Sequence, residues 1–258
     1  MELSNPKTFN EKIQWLKLYW RPNYITDLVD KIKVRIFVEE KIGDKYLNTI
    51  LGTYSSYEEF FNEINSFPER YVIKANHGSG WNIIINENNR FNPMEHRVIM
   101  DRWLGQNYYK IGREWVYKNV KPKILVERYI EPSFMREYGL LDFKIFCFSG
   151  RPLYIQVDFN REKNHKRNIY DLEWNLLKMK KHYDNLNINL VKPKFIDDIL
   201  YLCEKLSKNI PYCRIDFYYA EKIIFGEITF YPGNGFEQIY PFKFDRILGK
   251  SLVLPNSK

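Results

Sequence analysis

The chain has 258 residues, of which 45% are hydrophobic, and a formal net charge of +8. A chain of this length and apolar content can bury a core for one domain or for two closely packed lobes. No apolar run approaches the roughly 20 residues of a membrane-spanning helix, and the start, Met1-Glu-Leu-Ser-Asn-Pro6, lacks the basic and apolar regions of a signal peptide, so we expect a cytoplasmic protein without an integral membrane segment. The positive charge favours a polyanionic partner, and ATP, a sugar nucleotide, an anionic lipid-linked glycan and nucleic acid all qualify.

Three helices are predicted near the start of the chain. Apolar residues recur at helical spacing over residues 9–18, and a second helical pattern covers residues 24–41 and ends before Gly43. A third helix is predicted over residues 56–65, because Ser56-Tyr-Glu-Glu59 has the spacing of a capping box. These elements predict a helical N-terminal segment.

The rest of the chain alternates between predicted strands and helices. Strands are predicted over residues 71–74, 82–85, 123–130, 141–148 and 152–159, and helices over residues 93–105 and 196–208. The segment 214–230 is predicted to form two strands joined at the polar turn Ala220-Glu-Lys222. This order predicts an α+β fold with two lobes, and no Pro-, Ser- or Gly-rich linker separates them.

The segment Tyr71-Val-Ile-Lys-Ala-Asn-His-Gly-Ser-Gly80 is the first candidate binding motif. A strand that ends in a small-residue loop can direct backbone N–H groups at a phosphate, and a lysine on the strand supplies positive charge. The motif is neither a P-loop nor a dinucleotide fingerprint, because the required lysine and third glycine are missing. The alternative is an ordinary hairpin turn at Gly78-Ser-Gly80.

The second candidate motif is a pair of acids, Asp216 and Glu227, on the two strands of the predicted hairpin. Two carboxylates that face each other across a ladder repel unless a cation lies between them, and Mg²⁺ prefers oxygen ligands of this kind. The alternative is a pair of solvated acids on an ordinary hairpin.

Three cysteines, Cys147, Cys203 and Cys213, lie in apolar contexts without a C-x-x-C pair and are interpreted as small buried hydrophobic residues.

The order of these motifs resembles the ATP-grasp superfamily and, within it, the family related to teichuronopeptide-biosynthesis ligases from bacterial surface-polysaccharide gene clusters. The segments that carry the resemblance span nearly the whole chain: Asn5-Pro-Lys-Thr-Phe-Asn-Glu-Lys12, Asp30-Lys31 with Val34-Arg35, Ile73 to Gly80, Gly112-Arg-Glu-Trp115, Asp142 to Phe148, Asn164 to Asp171, and Phe230-Tyr-Pro-Gly-Asn-Gly-Phe236. The resemblance implies an ATP-grasp fold, in which nucleotide lies between two α+β lobes preceded by the helical segment. We divide the chain accordingly into residues 1–55, 56–130 and 131–258.

The resemblance also implies which residues bind ATP and magnesium. The ATP-binding positions are the lysines that approach the phosphates, the glycine loop, and the hinge that meets adenine and ribose: Lys31, Lys74, His77, Gly78, Ser79, Gly80, Glu127 and Ile130. Asp216 and Glu227 match the two magnesium-binding carboxylates, and Thr229 stands where the family usually carries an asparagine ligand, which leaves the number of magnesium ions open.

The predicted catalytic residues are cations and one histidine. Lys144 stands where related ligases carry the arginine of an Asp-x-Arg pair, and it keeps the charge but not the planar fork. A basic cluster follows the strand that ends at Phe159, and in carboxylate–amine ligases a basic loop in this part of the chain binds the substrate carboxylate and the acyl phosphate; a solvated loop is the alternative. The set comprises Lys144, Arg161, His165, Arg167 and Arg214, with His165 as a possible base for the attacking amine.

The activity implied by the resemblance is an ATP- and magnesium-dependent carboxylate–amine ligation through an acyl phosphate. The family setting points to amide formation between an amino acid and a sugar acid or amino sugar, free or linked to nucleotide or lipid, in surface polysaccharide (capsule) biosynthesis. We expect small-molecule substrates and no nucleic acid as partner. Two alternatives stay open at this point: a kinase that phosphorylates a glycan hydroxyl, and a glycosyltransferase in which Asp216 and Glu227 hold a metal on a sugar nucleotide. The absence of a tight Asp-x-Asp pair speaks against the latter.

Overall fold

The computed structural model describes residues 1–161 and 163–256, and the chain divides into two compact units. The large unit comprises Met1–Arg21, Glu40–Tyr46 and Glu131–Lys258, and the small unit comprises Pro22–Glu39 and Leu47–Ile130. The residues of the predicted N-terminal segment are therefore distributed between the two units. The three-part domain division itself stays a prediction.

Helices and strands are mixed in both units, which confirms the α+β class. The helices are α1 (Phe9–Tyr19), α2 (Ile25–Val29), α3 (Val34–Ile42), α4 (Tyr57–Asn62), α5 (Pro93–Gly105), α6 (Tyr109–Gly112), α7 (Ile196–Ser207) and α8 (Lys243–Ser251). The strands are β1 (Ile50–Tyr54), β2 (Tyr71–Ala75), β3 (Asn82–Ile85), β4 (Ile124–Arg128), β5 (Asp142–Phe148), β6 (Arg151–Phe159), β7 (Lys166–Tyr170), β8 (Lys180–Lys181), β9 (Tyr212–Ala220), β10 (Lys222–Thr229) and β11 (Ile239–Tyr240).

The small unit is built on an antiparallel sheet with the strand order β1-β4-β2-β3. Its core contains Phe60, Ile73, Met100 and Val126, which are all fully buried. The predicted cap of α4 is confirmed, because the Ser56 hydroxyl accepts a hydrogen bond from the Glu59 backbone N–H at 3.1 Å.

The large unit is built on a five-stranded antiparallel sheet with the order β10-β9-β5-β6-β7. Successive side chains of a strand point to opposite faces, and one face of this sheet is apolar and packs against α7. That face includes Phe143, Ile145, Val157, Ile215 and Phe217, all fully buried, and the three cysteines are buried and free. The opposite face is polar along β5, β6, β9 and β10 and holds most of the candidate catalytic and metal-binding residues.

Helix α1 belongs to the large unit and packs against α8. Its N-terminus has a complete capping box, in which Thr8 and Glu11 each accept a hydrogen bond from the other's backbone N–H. A Cβ atom at Gly249 would lie 2.3 Å from the Lys7 carbonyl oxygen, so only glycine permits this approach of α8 to the segment that leads into α1.

The predicted helix over residues 24–41 is wrong, because the chain leaves the helical conformation between α2 and α3. Asp30 has the extended backbone angles φ −74° and ψ 113°, and its carboxylate accepts a hydrogen bond from the Ile32 N–H at 2.9 Å. The carboxylate therefore starts a new helix instead of continuing the old one. This break places Lys31 on a turn.

Several short elements differ from the sequence-based expectation. Strands β1, β7, β8 and β11 and helices α6 and α8 were not predicted. Arg167 lies in strand β7, so the prediction that it belongs to a basic loop is wrong. Among the residues that the structure describes, no helix combines the length and apolar character needed to cross a bilayer.

Candidate functional site

The glycine loop of the small unit is anchored by Asn76, the first residue after β2. The Asn76 side chain donates a hydrogen bond to the Asp30 carboxylate at 3.0 Å and accepts one from the Lys123 N–H at 2.7 Å. Asn76 is almost fully buried. It therefore ties the loop to both the α2–α3 turn and the start of β4.

His77 lies inside the small unit, although it was predicted to bind cofactor. Its ring nitrogens are 3.0 Å from the Asn76 side-chain oxygen and 2.9 Å from the Trp103 carbonyl oxygen. Burial lowers the pKa of His77, and the nearby carbonyl groups only partly offset this effect. The side chain fixes the loop to the C-terminal end of α5, and its cofactor contact stays a prediction.

The tip of the loop is open to solvent, while its first glycine is tightly enclosed. A Cβ atom at Gly78 would lie 2.8 Å from the Trp81 ring and 2.9 Å from the Tyr108 ring. Ser79 and Gly80 are exposed, and Gly80 has a φ of +72°, a conformation that favours glycine. The backbone at the tip is therefore accessible to an anionic ligand.

Two predicted phosphate-binding lysines flank this loop region within the small unit. The Lys31 N–H donates to the Asn76 carbonyl at 3.1 Å, and its ammonium group donates to the Gly78 carbonyl. The Lys74 ammonium group is 2.5 Å from the Glu127 carboxylate. The structure thus brings Lys31 to the glycine loop and pairs Lys74 with the predicted ribose-binding acid.

Glu127 has a second cation nearby, since Arg35 lies 3.8 Å from its other oxygen. Burial raises the pKa of Glu127, but the charges of Lys74 and Arg35 outweigh burial and hold the pKa below its ordinary value. Ile130 is half-buried and follows β4 by two residues. No described contact tests the predicted roles of Glu127 and Ile130 toward adenine and ribose.

On the polar face of the large unit, Lys144 lies between two aspartates. Its ammonium group is 2.6 Å from the Asp142 carboxylate and contacts the Asp216 carboxylate, which stands directly opposite on β9. Asp142 and Asp216 are each at most 1% exposed. Burial raises the pKa of Asp142, and the negative charges of Asp216 and Asp158 add to this effect while Lys144 and Arg161 oppose it.

The predicted metal ligands Asp216 and Glu227 are directly opposite each other on β9 and β10. A β-bulge between Phe225 and Glu227 sets this register. The intervening Gly226 is tightly placed, because a Cβ atom there would lie 3.0 Å from the Asp216 carbonyl oxygen. The facing acids of the sequence prediction are therefore confirmed as neighbours.

Arg214 links the three predicted metal ligands. Its guanidinium group binds both oxygens of Asp216 at 2.7 Å, and the same group is 3.3 Å from Glu227 and 3.1 Å from the Thr229 hydroxyl. A bidentate arginine–carboxylate pair of this kind is strong and well oriented. Arg214 therefore balances the charge that magnesium would balance.

The donor set fits magnesium bound together with a nucleotide. Mg²⁺ usually takes one or two protein carboxylates and completes its octahedral shell with water and substrate phosphates. Within residues 1–161 and 163–256, no group of three or more His, Cys, Asp or Glu side chains is arranged to hold a metal by itself. Asp216, Glu227 and the Thr229 hydroxyl supply the oxygen ligands, and Arg214 must share or yield the carboxylate oxygens when the ion binds.

The cations of the predicted basic cluster are already paired with acids on β5 and β6. Arg161 is 2.7 Å from Asp142, and Arg167 binds both oxygens of Asp158 at 2.6 and 3.0 Å. The Arg161 side chain is 45% exposed, whereas that of Arg167 is only 8% exposed. Of these two arginines, Arg161 is therefore the more accessible to a substrate.

His165 stacks on Tyr183, with ring centroids 3.7 Å apart, and its Nε2 lies 3.5 Å from Asp158. This nitrogen is buried and has no hydrogen-bond partner among the described residues. Nε2 therefore faces the Asp158 carboxylate on the polar face.

Sequence reasoning missed three charged residues of this face. Asp158 binds Arg167, Glu237 lies 3.6 Å from Arg167, and the fully buried Lys181 contacts Glu237. Burial lowers the pKa of Lys181 to about 8, although the Glu237 charge opposes this change. Asp158 could have been identified from the sequence, because it is an acid within the apolar strand β6. Lys181 could not, because it lies in a polar segment where a lysine is ordinary.

Two buried acceptors on the polar face lack hydrogen-bond partners among the described residues. They are Asp142 Oδ1 on β5 and Gln156 Oε1 on β6, and both side chains are fully buried. Buried polar atoms are nearly always satisfied by protein, water or ligand. These two atoms therefore mark a place that accepts hydrogen bonds from a further donor.

Comparison with solved structures finds distant similarity to chains described as ligases or synthetases. The D-alanine–D-alanine ligase of Bacillus anthracis is 13% identical, with a TM-score of 0.44 over 78% of this chain and 56% of that chain. The ATP-grasp ligase PsnB, in complex with its minimal precursor, Mg and ADP, is 9% identical, with a TM-score of 0.45 over 86% and 57%. The ADP complex of purK, an N5-carboxyaminoimidazole ribonucleotide synthetase, is 8% identical, with a TM-score of 0.45 over 85% and 50%.

The chain spans about half the length of these solved structures. The comparison with curated proteins finds no matching sequence. A family model described as TupA-like ATPgrasp matches residues 11–253, which is nearly the whole chain. The chain therefore belongs to the TupA-like ATP-grasp family, as its motifs indicated.

Proposed function

We propose that the chain is an ATP- and magnesium-dependent ligase that joins a carboxylate to an amine through an acyl phosphate. The observation that carries this proposal is the polar face of the large unit, where Asp216 and Glu227 face each other and Lys144 and Arg214 contact the same carboxylates. Family membership supports ATP as the co-substrate. Oxygen ligands beside cations are what a magnesium-bound triphosphate requires.

The proposed first step transfers the γ-phosphoryl group to a carboxylate. A carboxylate oxygen attacks the γ-phosphorus, the bond from phosphorus to the bridging oxygen breaks, and ADP leaves. Such transfers need positioning and charge stabilisation more than covalent help. Lys144 and Arg214 stabilise the charge on the transferring group, and magnesium held by Asp216 and Glu227 would neutralise phosphate oxygens.

The second step forms the amide. The amine nitrogen attacks the acyl carbon, the bond to phosphate breaks, and the nitrogen loses a proton. The unpartnered Asp142 Oδ1 and Gln156 Oε1 support binding of a hydrogen-bond donor such as this amine. We assign the acyl phosphate to Arg161, which is more exposed than Arg167, and the proton to His165 Nε2.

The small unit is proposed to bind ATP through its glycine loop. Exposed backbone at Ser79 and Gly80, with Lys31 and Lys74 in the same unit, supports contacts to phosphate oxygens. The predicted cofactor contacts of His77, Gly78, Glu127 and Ile130 are part of this proposal. We further propose that the substrates are an amino acid and a sugar acid or amino sugar of a surface polysaccharide, handled in the cytoplasm.

The test is an ADP-release screen with magnesium and ATP over sugar acids crossed with amino acids. We expect ADP only when a carboxylate is present, and a condensation product only when both substrates are present. A heavy-oxygen label in the carboxylate should appear in the released phosphate, because the acyl phosphate transfers one carboxylate oxygen to phosphorus. The matched control is the same carboxylate with the amine substrate replaced by its N-acetyl derivative, which should give no amide.

Other products would overturn the ligase assignment in specific ways. A phosphorylated glycan with no label in free phosphate identifies a kinase. Sugar transfer from a nucleotide sugar, without use of ATP, identifies a glycosyltransferase. A melting temperature that does not respond to ATP with magnesium would refute the nucleotide assignment itself, because a ligand at a hundredfold excess over its Kd stabilises a fold by about 2.7 kcal/mol.

A further inference from the structure

Helix α8 of the large unit presents a basic face to solvent that the proposed ligase reaction does not use. The exposed residues are Lys243, Arg246, Ile247 and Lys250, at the spacing i, i+3, i+4 and i+7 of one helix face. Asp245, the helix's acidic residue, is buried on the other face, where its carboxylate accepts a hydrogen bond from the Asn10 N–H at 3.0 Å. The exposed face therefore combines three cations with one aliphatic side chain and carries no acid.

Large apolar side chains are exposed immediately before and after this helix. Tyr240 is 69% exposed and Phe242 is 57% exposed on the N-terminal side, and Val253 is 67% exposed on the C-terminal side. Single exposed apolar residues are ordinary. Here they flank a row of cations, and the Arg246 guanidinium lies 5.6 Å from the Phe242 ring centroid. The segment from β11 to the residues after α8 is thus both basic and apolar at its surface.

A cleft of about 900 Å³ adjoins the same face of the large unit. Its lining includes Lys7, Lys12 and Trp15 from the N-terminal region and Arg246 and Lys250 from α8. In the part of the chain that the structure describes, none of these four cations forms an ion pair. Burial lowers the pKa of Lys12, and the charge of Lys7 lowers it further. The lining of the cleft is therefore positively charged and favours an anionic ligand.

We propose that this surface docks on an anionic lipid membrane, with α8 lying along the headgroups and a headgroup phosphate in the cleft. Negatively charged headgroups complement the unpaired cations, and the exposed Phe242, Ile247 and Val253 side chains enter the boundary with the acyl chains. Nucleic acid offers no comparable environment for these apolar groups. Lysine and arginine stems also suit an interface, since they cover apolar surface while the charges stay in water.

The size of the effect follows from the charges. Each Lys or Arg near an anionic leaflet strengthens binding about fivefold, so neutralising the three cations of α8 weakens it about a hundredfold. Binding also weakens as salt is added, because salt screens exposed charges. The apolar side chains add a contribution that salt does not remove.

The experiment is cosedimentation of the full chain with vesicles of phosphatidylcholine alone or mixed with phosphatidylglycerol. The test variant is Lys243→Gln/Arg246→Gln/Lys250→Gln. The matched control, Lys194→Gln/Lys205→Gln/Lys222→Gln, alters three exposed lysines elsewhere in the same unit and lowers the net charge by the same amount. A second test variant, Ile247→Gln/Val253→Gln, removes apolar side chains without changing charge. Melting temperatures establish that each variant is folded.

We expect binding to the phosphatidylglycerol vesicles only, a loss of about a hundredfold in the α8 triple variant, and a much smaller loss in the control. The apolar double variant should bind more weakly than the unsubstituted chain at every salt concentration. Equal losses in the two triple variants would overturn the proposal, since net charge alone would then explain binding. Failure of the unsubstituted chain to bind phosphatidylglycerol vesicles overturns it outright and leaves a partner protein as the occupant of this face.

Discussion

The glycine loop of the small unit and the polar face of the large unit hold their charges in different ways. In the small unit, Glu127 lies between Lys74 and Arg35, and the nearby loop tip is open to solvent. On the polar face, Asp142, Asp158 and Asp216 are each at most 1% exposed; Lys144 contacts both Asp142 and Asp216, and Arg167 contacts both Asp158 and Glu237. A ligand of the loop therefore meets exposed backbone and one small charge cluster, whereas one change on the polar face leaves several buried charges unbalanced.

This contrast can be tested most strongly at the proposed metal ligands. Glu227→Gln should lower ADP release by about a hundredfold or more, because the phosphate charge is then poorly compensated. Glu227 is 32% exposed, so the melting temperature should change little. Asp216→Asn should lose both activity and about 3–5 kcal/mol of stability, since it leaves Lys144 and Arg214 without their shared buried partner.

The measurements are the magnesium dependence of ADP release and urea unfolding. Asp198→Asn, at an exposed position of α7 in the same unit, is the matched control and should behave like the unsubstituted chain. Turnover by Glu227→Gln at the unsubstituted rate would contradict the metal role. Equal stability of Asp216→Asn and the control would show that Lys144 and Arg214 do not depend on Asp216 as their buried partner.

A second test measures only the free energy of unfolding and concerns the buried pair Lys181 and Glu237 of the large unit. Either Lys181→Met or Glu237→Gln should cost about 3–5 kcal/mol of unfolding free energy, because one charge of a buried pair stays behind. The double variant should cost less than either single change. Lys180→Gln, whose side chain is 54% exposed beside Asp184, should change stability by about 1 kcal/mol or less. Single variants as stable as Lys180→Gln would refute the argument.

The smallest expected effect is the pH dependence of the small-unit pair. The pKa of Glu127 is lower in the folded chain than its ordinary value of 4.5, so its contribution to stability is complete above that value and is lost as the pH falls through the lower, folded pKa. Glu127→Gln should therefore reduce the acid-induced loss of unfolding free energy. Glu58→Gln, an exposed acid of the same unit paired with Arg97, should not change it measurably. Identical pH profiles for the two variants would contradict this assignment.

Local signals in the sequence predicted the elements that carry most of the candidate site. Helix α5 has the predicted bounds, and its start is set by Pro93 at the first position and by the Asn92 side chain that caps it. The hairpin that brings Asp216 opposite Glu227 follows from two β-rich runs and a polar turn. These features depend on residues a few positions apart, and such spacing is visible in one chain.

The features that the sequence did not reveal depend on distant partners. The break between α2 and α3 is stabilised by Asp30 accepting a hydrogen bond from Asn76, which is 46 residues away. Arg167 was predicted to bind the substrate carboxylate, but its guanidinium group already binds both oxygens of Asp158. Asp158 lies beside Arg167 only because β6 pairs with β7. Lys181 could not be singled out because its partner, Glu237, comes from another strand region.

The docking of α1 against α8 has a consequence for the order in which the chain folds. Asn10 donates its backbone hydrogen bond to Asp245, which is 235 residues later in the sequence, and Phe9 packs against Tyr212 at 5.0 Å between ring centroids. During synthesis the first helix therefore leaves the ribosome long before Tyr212 and α8 have been made. Until then its apolar face stays exposed to solvent or is bound by a chaperone. The small unit lies between these segments and can fold first. Folding of the large unit is thus a late event, because it requires residues from both the start and the end of the chain.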